Sequence, residues 1–364
     1  MGKVKASGPL SRRPDNSAFK QQRLPAWSPA LNAHTLLPLF YGVAVLCILL
    51  GVWLLVTVQN THEIKVDYTD ADSCSSCYEM REDRQNATKP CSCQVKFTIP
   101  ENITGDVFFY YGLINFHQNL RLYMDSRDDA QLLGRTRNLK SPSSYCAPFN
   151  YVNGIPIAPC GAIANSKFND TLILYYEGTP RKEVPFYRRG ISWYTDQNVK
   201  FRNPTINDTF SLAQAFQGTA PPVYWQKPVY DLDTSQPNNN GFTNEDLIVW
   251  MREAAFPNFK KLYGVLNRGA KADFKNGLPA GEYTIEIQYN FPVQYFRGRK
   301  GVVLSTVTWF GGKNHFLPIA YLVTGGLVLV IAALLTAVYL KFGKDGKNMD
   351  FEEESKEEGG RGRI

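Results

Sequence analysis

TLLPLFYGVAVLCILLGVWLLVTV, residues 35–58, carries no charged side chain from end to end. At about 1.5 Å per residue, a helix of this length crosses a hydrocarbon core of roughly 30 Å. A second run of the same character, FLPIAYLVTGGLVLVIAALLTAVYL, occupies residues 316–340. Within lipid, a single segment satisfies its own backbone polar groups only as a helix. The sequence therefore predicts two transmembrane helices bracketing one long intervening segment. The first run begins far from Met1, exceeds the apolar length of a signal peptide and continues VTVQNTHEI without a small-residue cleavage site. It reads as an uncleaved anchor.

Charge near the spans sets the expected orientation. Lys3, Lys5, Arg12, Arg13, Lys20 and Arg23 precede the first span, opposed by Asp15; Lys341, Lys344 and Lys347 follow the second, with Asp345. Positive residues favour the cytosolic side, so both tails are expected there. The chain divides into a cytosolic tail (1–34), a span (35–58), a lumenal or extracellular domain (59–315), a second span (316–340) and a second cytosolic tail (341–364). Much of the net charge of +7 sits in the N-terminal tail. It reports topology and does not point to nucleic acid. The acidic stretch after Asp350 reads as a solvated tail. Neither span offers a charged residue for an ion or proton path. Small residues do recur at helical spacing (Ala44, Cys47 and Gly51; Gly325, Gly326, Ala332, Ala333, Thr336 and Ala337), which lets helices approach closely in lipid.

Six of the seven cysteines lie between the spans: Cys74, Cys77, Cys91, Cys93, Cys146 and Cys160. In an oxidising compartment these are expected as disulfides in preference to zinc ligands, with the connectivity left open by spacing. Cys47 lies inside the first span and reads as a small packing residue. The four sequons, at Asn86, Asn102, Asn169 and Asn207, also fall between the spans. They are expected glycosylation sites on a domain exposed to the secretory pathway.

The intervening segment is rich in strand-forming runs. Gln94–Ile99, Asp106–Leu113, Thr171–Glu177, Glu282–Phe291 and Val302–Phe310 are expected strands. In the Glu282 run, Tyr283, Ile285, Ile287 and Tyr289 alternate with Thr284, Glu286 and Gln288, the pattern of a half-buried antiparallel strand. Leu113–Met124 and Asn244–Leu266 are expected helices, the second broken near Pro257 and capped by Asn244. The expected fold class is a membrane protein with two transmembrane α-helices and a large antiparallel β-sandwich carrying helical insertions.

Chemistry is hard to find. His34, His62, His117 and His315 lack a second ligand at metal spacing. No nucleophile elbow, phosphate loop or dinucleotide fingerprint occurs. DLDTSQPNNNGFTNED (residues 231–246) fails as a calcium loop, because with Gly241 at its sixth position the first and twelfth residues are Gln236 and Leu247. Asp128 and Asp129 beside Arg127 suggest an ion pair. No catalytic residue, metal or cofactor is expected. Residue types alone leave an accessory subunit open, with a two-pass receptor, adhesion or ligand-gated channel subunit as the alternative.

Longer stretches go further. RRPDNSAFKQQRLPAW (12–27), YYGLINFHQNLRLYMDSRDDAQLLG (110–134), PIAPCGAIANSKFND (156–170), NNGFTNEDLIVWMREAAFPNFKKLY (239–263) and STVTWFGGKNHFLPIAYL (305–322) closely resemble the cell-cycle-control-protein-fifty family. Its members are accessory β-subunits of type-IV P-type ATPases, which move aminophospholipids to the cytosolic leaflet. The resemblance implies a disulfide-held β-sandwich with Cys74 paired to Cys93, Cys77 to Cys91 and Cys146 to Cys160. It implies a non-catalytic heterodimer partner of the ATPase, needed for exit from the endoplasmic reticulum and present from there through the Golgi to the plasma membrane. The aspartyl-phosphate chemistry would belong to the partner, since this chain has no DKTGT-like sequence.

Overall fold

The computed structural model describes residues 17–22, 24, 32–83, 86, 89–205 and 211–342. Most of the basic N-terminal tail, the tail beyond residue 342 and the sequon at Asn207 lie outside these residues. The chain forms two compact units: one holds the two long helices except the last turn of the first, and the other runs from Val56 to His315.

In the first unit, the helices span Ala33–Gln59 and Phe316–Phe342. Both are long and apolar enough to cross a membrane. Their contacts run in opposite order along the two sequences. His34 meets Tyr339, Tyr41 meets Thr336, and Gly51 meets Leu322. The helices therefore pack antiparallel.

The second unit is a sandwich of two antiparallel sheets. Its strands are β1 (Glu63–Asp67), β2 (Ser92–Ile99), β3 (Ile103–Thr104), β4 (Val107–Ile114), β5 (Tyr151–Val152), β6 (Ile155–Pro156), β7 (Thr171–Tyr176), β8 (Lys182–Glu183), β9 (Phe186–Tyr187), β10 (Phe259–Leu266), β11 (Gly277–Leu278), β12 (Gly281–Gln288) and β13 (Arg299–Thr306). One sheet has the order β1-β13-β4-β10-β9 and the other β2-β12-β7-β8; β11–β3 and β5–β6 are short pairs. Alternation decides which faces turn inward. Val107, Phe109, Tyr111 and Leu113 of β4 are buried, and so are Cys93, Val95 and Ile99 of β2. Period-2 burial of this kind fills the space between two sheets. Tyr111 stacks on Phe168 at 4.1 Å between ring centroids, and Trp250 donates to the Ile163 carbonyl at 2.7 Å. β1 pairs with β13 from Glu63–Ser305 to Asp67–Gly301. The first and last strands of the domain are thus neighbours in one sheet.

Three disulfides staple this unit. Cys74–Cys93 and Cys77–Cys91 are nested and fasten the short helix Ser75–Met80 to β2, while Cys146–Cys160 closes a separate loop. Cys47 is free.

Three sequence expectations need correction. The stretch expected as a helix from Leu113 is β4 to Ile114 and irregular through Leu120, with only Arg121–Met124 helical. The second expected helix stops at Met251, and Phe259–Leu266 is strand β10. Lys261 faces inward there and breaks the apolar alternation that would have marked a strand. The expected cap holds: the Asn244 side chain accepts from Leu247 N at 3.1 Å. Asp128 also differs from expectation. Arg127 pairs with Asp129 at 2.9 Å and with Glu253, whereas Asp128 accepts from Gln131 N, Ser143 N and Asn138 Nδ2. It ties a loop together and forms no part of the ion pair.

Candidate functional surfaces

The small faces of the long helices meet each other. A Cβ built on Gly325 would lie 2.8 Å from Ile48 Cγ1 and 3.1 Å from the Ala44 carbonyl oxygen. Ala44 and Ala332 are fully buried. By contrast, among the described residues and apart from the helix's own backbone, nothing lies within 4 Å of a Cβ on Gly326. One of the two adjacent glycines serves the helix pair; the other leaves a small notch facing away from it. In lipid, close packing and interhelical hydrogen bonds such as Tyr41–Thr336 at 3.1 Å replace the hydrophobic effect as the source of association. Gly325→Leu is expected to part the helices, and Gly326→Leu to leave them together. The check is disulfide formation between Tyr41→Cys and Thr336→Cys in a Cys47→Ala background, in membranes. Crosslinking should drop several-fold with the first substitution only.

Buried charges in the sheet domain are engaged in structure. Lys300 and Asp170 are both fully buried, with Nζ 2.6 Å from Oδ2. Asp170 also accepts from the Tyr68 hydroxyl and from the backbone N–H groups of Asn290 and Phe291. Lys300 donates to the Phe291 carbonyl and lies 3.3 Å from the centroid of the Tyr289 ring. Burial pushes the Lys300 ammonium down to about 8, and Asp170 pulls partly back. Lys261 donates to the carbonyls of Val249, Trp250 and Arg252, which satisfies the end of the helix Glu245–Met251. Among the described residues, no three His, Cys, Asp or Glu side chains converge as a metal site.

Glu245 does something different. Its buried carboxylate accepts from the backbone N–H groups of Gly190, Ile191 and Ser192 and from the Ser192 hydroxyl. That clamps the start of a segment whose next residues, Trp193 and Tyr194, are 63% and 80% exposed. Arg252 lies 4.0 Å from the centroid of the Trp193 ring and pairs with Asp196 at 2.9 Å. A second exposed apolar set comprises Leu120, Leu122 and Phe256. There, Asn119 Nδ2 donates to the Ala255 carbonyl and Ala254 N donates to Gln118 Oε1, which holds the two segments side by side. Large apolar side chains held out on fixed backbone are what a binding surface offers a partner.

A cleft of about 540 Å³ is lined by Lys167, Asn169, Arg188, Trp225, Gln226 and Asp246 among others. Of the sequons, Asn86 lies beside Asp83, with Nδ2 3.2 Å from Oδ2. Asn102 is exposed and accepts from Ala280 N, while Asn169 lies in the cleft wall. Sequence reasoning missed Lys300, Asp170 and Glu245. A lysine opening the apolar run KGVVLS was the available signal, since an uncompensated lysine on an inward strand position demands a buried anion.

Similarity to known proteins agrees with this architecture. The model of the LEM3 (ligand-effect modulator 3) family / CDC50 family matches residues 54–345. Cell cycle control protein 50A of Bos taurus is 48% identical over 342 residues, covering 93% of this chain and 92% of its own. Cell cycle control protein 50B of Homo sapiens is 47% identical over 339 residues, covering 91% and 95%. ALA-interacting subunit 3 of Arabidopsis thaliana is 35% identical over 342 residues, covering 93% and 90%. The match runs from the end of the first long helix, through the disulfide-stapled sandwich, and past the second helix; the chain belongs to the LEM3/CDC50 family.

Proposed function

We propose that this chain is the non-catalytic accessory (β) subunit of a P-type ATPase phospholipid flippase. In this reading the partner moves aminophospholipids to the cytosolic leaflet, and this subunit supports its folding, exit from the endoplasmic reticulum and activity. The observation that carries the proposal is the family match, which includes the second membrane helix and the whole sheet domain. The plant relative's name describes an interacting subunit, which is in keeping with an accessory role.

Both tails lie in the cytosol, following the basic residues beside the spans. The sheet domain faces the lumen or the cell exterior, where disulfides persist and Asn86, Asn102, Asn169 and Asn207 are available for glycan. The protein travels with its ATPase through the Golgi to the plasma membrane. Binding uses several surfaces at once: the notch at Gly326, the clamped aromatic segment at Trp193 and Tyr194, and the basic tail. An obligate pair buries large areas, and its lone subunit is often unstable, so retention without the partner follows from mass action and quality control. The spans carry no charged side chain of the kind that lines many ion pores, which disfavours a channel subunit.

Affinity capture of the full-length chain from detergent-solubilised membranes tests the proposal. A P-type ATPase should be recovered in near-equal amount, and surface delivery should fall when that ATPase is depleted. Recovery of no P-type ATPase, together with unchanged delivery, overturns it.

A further inference from the structure

We propose that the 540 Å³ cleft is a built-in saccharide site that receives the first sugars of an N-linked glycan carried on Asn169 itself. The proposal rests on the lumenal placement of the sheet domain and is otherwise independent of which partner the subunit serves.

Asn169-Asp170-Thr171 is a sequon whose asparagine lies in the wall of this cleft. Its attachment point is rigid. The Asn169 carbonyl accepts from Asn290 Nδ2 at 3.1 Å, and the next residue, Asp170, is locked by Lys300. Asn169 Nδ2 donates to Gln226 Oε1 at 3.0 Å, which directs the amide toward the Trp225–Gln226 wall. Glycosylation replaces one Nδ2 hydrogen with the anomeric carbon of a sugar from a lipid-linked sugar diphosphate; the lipid diphosphate leaves and the proton is released. The remaining N–H can keep the bond to Gln226. Among the described residues, Asn169 Oδ1 is buried with no hydrogen-bond partner.

The walls suit a sugar. A pyranose ring has an apolar face and a rim of hydroxyls. Trp225 supplies an indole whose Nε1–H is committed to the Ala164 carbonyl at 2.7 Å, which holds the ring in place. Lys167, Gln226, Gln288 and Asn290 supply hydrogen-bonding groups along the same lining. Among the described residues, the Lys167 ammonium makes one long hydrogen bond, 3.4 Å to the Phe168 carbonyl, and lies 5.8 Å from the centroid of the Trp225 ring. Its donors remain available for hydroxyl oxygens. The volume falls within the range of about 300–1,000 Å³ that small-ligand sites occupy. Asn102, on an exposed turn outside this lining, provides an internal comparison.

The test uses the full-length protein purified from a secretory host. Site-resolved mass spectrometry establishes occupancy at Asn169 and Asn102, and peptide N-glycosidase release is then timed at each site on the native protein. If the docked state protects the linkage as local closure protects an amide, release at Asn169 should be about tenfold slower than at Asn102. The difference should vanish after denaturation and shrink in a Lys167→Ala/Gln226→Ala variant. Equal native rates overturn the docking proposal while leaving the lumenal placement intact. An unoccupied Asn169 beside an occupied Asn102 also overturns it. Absence of glycan at every sequon would strike at the lumenal placement itself. As a second readout, Thr171→Ala removes the glycan but keeps Asn169. Hydrogen exchange should then quicken over residues 225–233, and unchanged exchange counts against the proposal.

Discussion

Asp170→Ala is expected to destabilise the sheet domain by about 3–5 kcal/mol, the usual consequence of breaking a fully buried ion pair by removing one partner. The carboxylate is the hub of a small network. It takes the Lys300 ammonium at 2.6 Å, the Tyr68 hydroxyl at 2.8 Å and two backbone N–H groups. Removing it leaves Lys300 with the Phe291 carbonyl and the Tyr289 ring in a site without solvent. Lys300→Met should cost a similar amount by stranding the carboxylate. The double variant Asp170→Asn/Lys300→Met should recover a large part of the loss, since it strands no charge; the Asp170→Asn change falls at the free middle position of the sequon and keeps its pattern. Denaturant unfolding of the detergent-solubilised protein, with disulfides intact, gives the comparison.

The pH dependence has a defined sign. The native Lys300 ammonium is held down to about 8, below its ordinary 10.5. Between those values the unfolded state binds more protons, so Lys300 makes stability rise with pH there. In Asp170→Ala the native value falls further. The Lys300-linked part of the deficit is therefore complete below the variant's lowered value, shrinks as pH rises from there, and is gone above about 8. A deficit independent of pH from 5 to 9 would mean that Lys300 does not carry it.

Loss of the Cys74–Cys93 bridge is the second large effect. Cys74→Ala/Cys93→Ala removes the outer of two nested crosslinks, and loss of a native disulfide costs about 2–5 kcal/mol; Cys77–Cys91 still closes the inner 14-residue separation, so the effect falls mainly on packing. Both cysteines are buried members of the main core, so the substitution opens space there. Cys146–Cys160 closes a loop of comparable length but sits in a small satellite cluster with Ile157 and Val152. Cys146→Ser should therefore be the milder lesion, still sufficient to slow export. Unfolding midpoints and the fraction of chain reaching mature glycan forms would rank the two. A reversed order would show that the satellite loop matters more than its burial indicates.

How much of this was legible beforehand depended on the range of the physics. Residues 35–58 and 316–340 read correctly as helices able to span a membrane, because uninterrupted apolarity and length are local properties. β2, β4, β7, β12 and β13 were visible wherever alternation was clean, and Asn244 announced its cap through the residue type and the acids after it. Cysteine number and surroundings pointed to disulfides without fixing their pairing. The candidate surfaces were largely hidden. Nothing near Trp193 reveals that Glu245, far along the chain, will clamp its backbone, and nothing near Asn169 reveals the wall formed by Trp225 and Gln226.

What the amino-acid order determined by itself was set by neighbours within a few residues: the apolar spans, the period-2 strands and the cap. Only the tertiary structure decided that FKKLYGVL would be β10, since its value as a strand comes from lying against β4 and from carbonyls that capture Lys261. Only the tertiary structure, too, brought Lys300 to Asp170 across 130 positions, because the worth of a buried charge depends on a partner that no local pattern supplies.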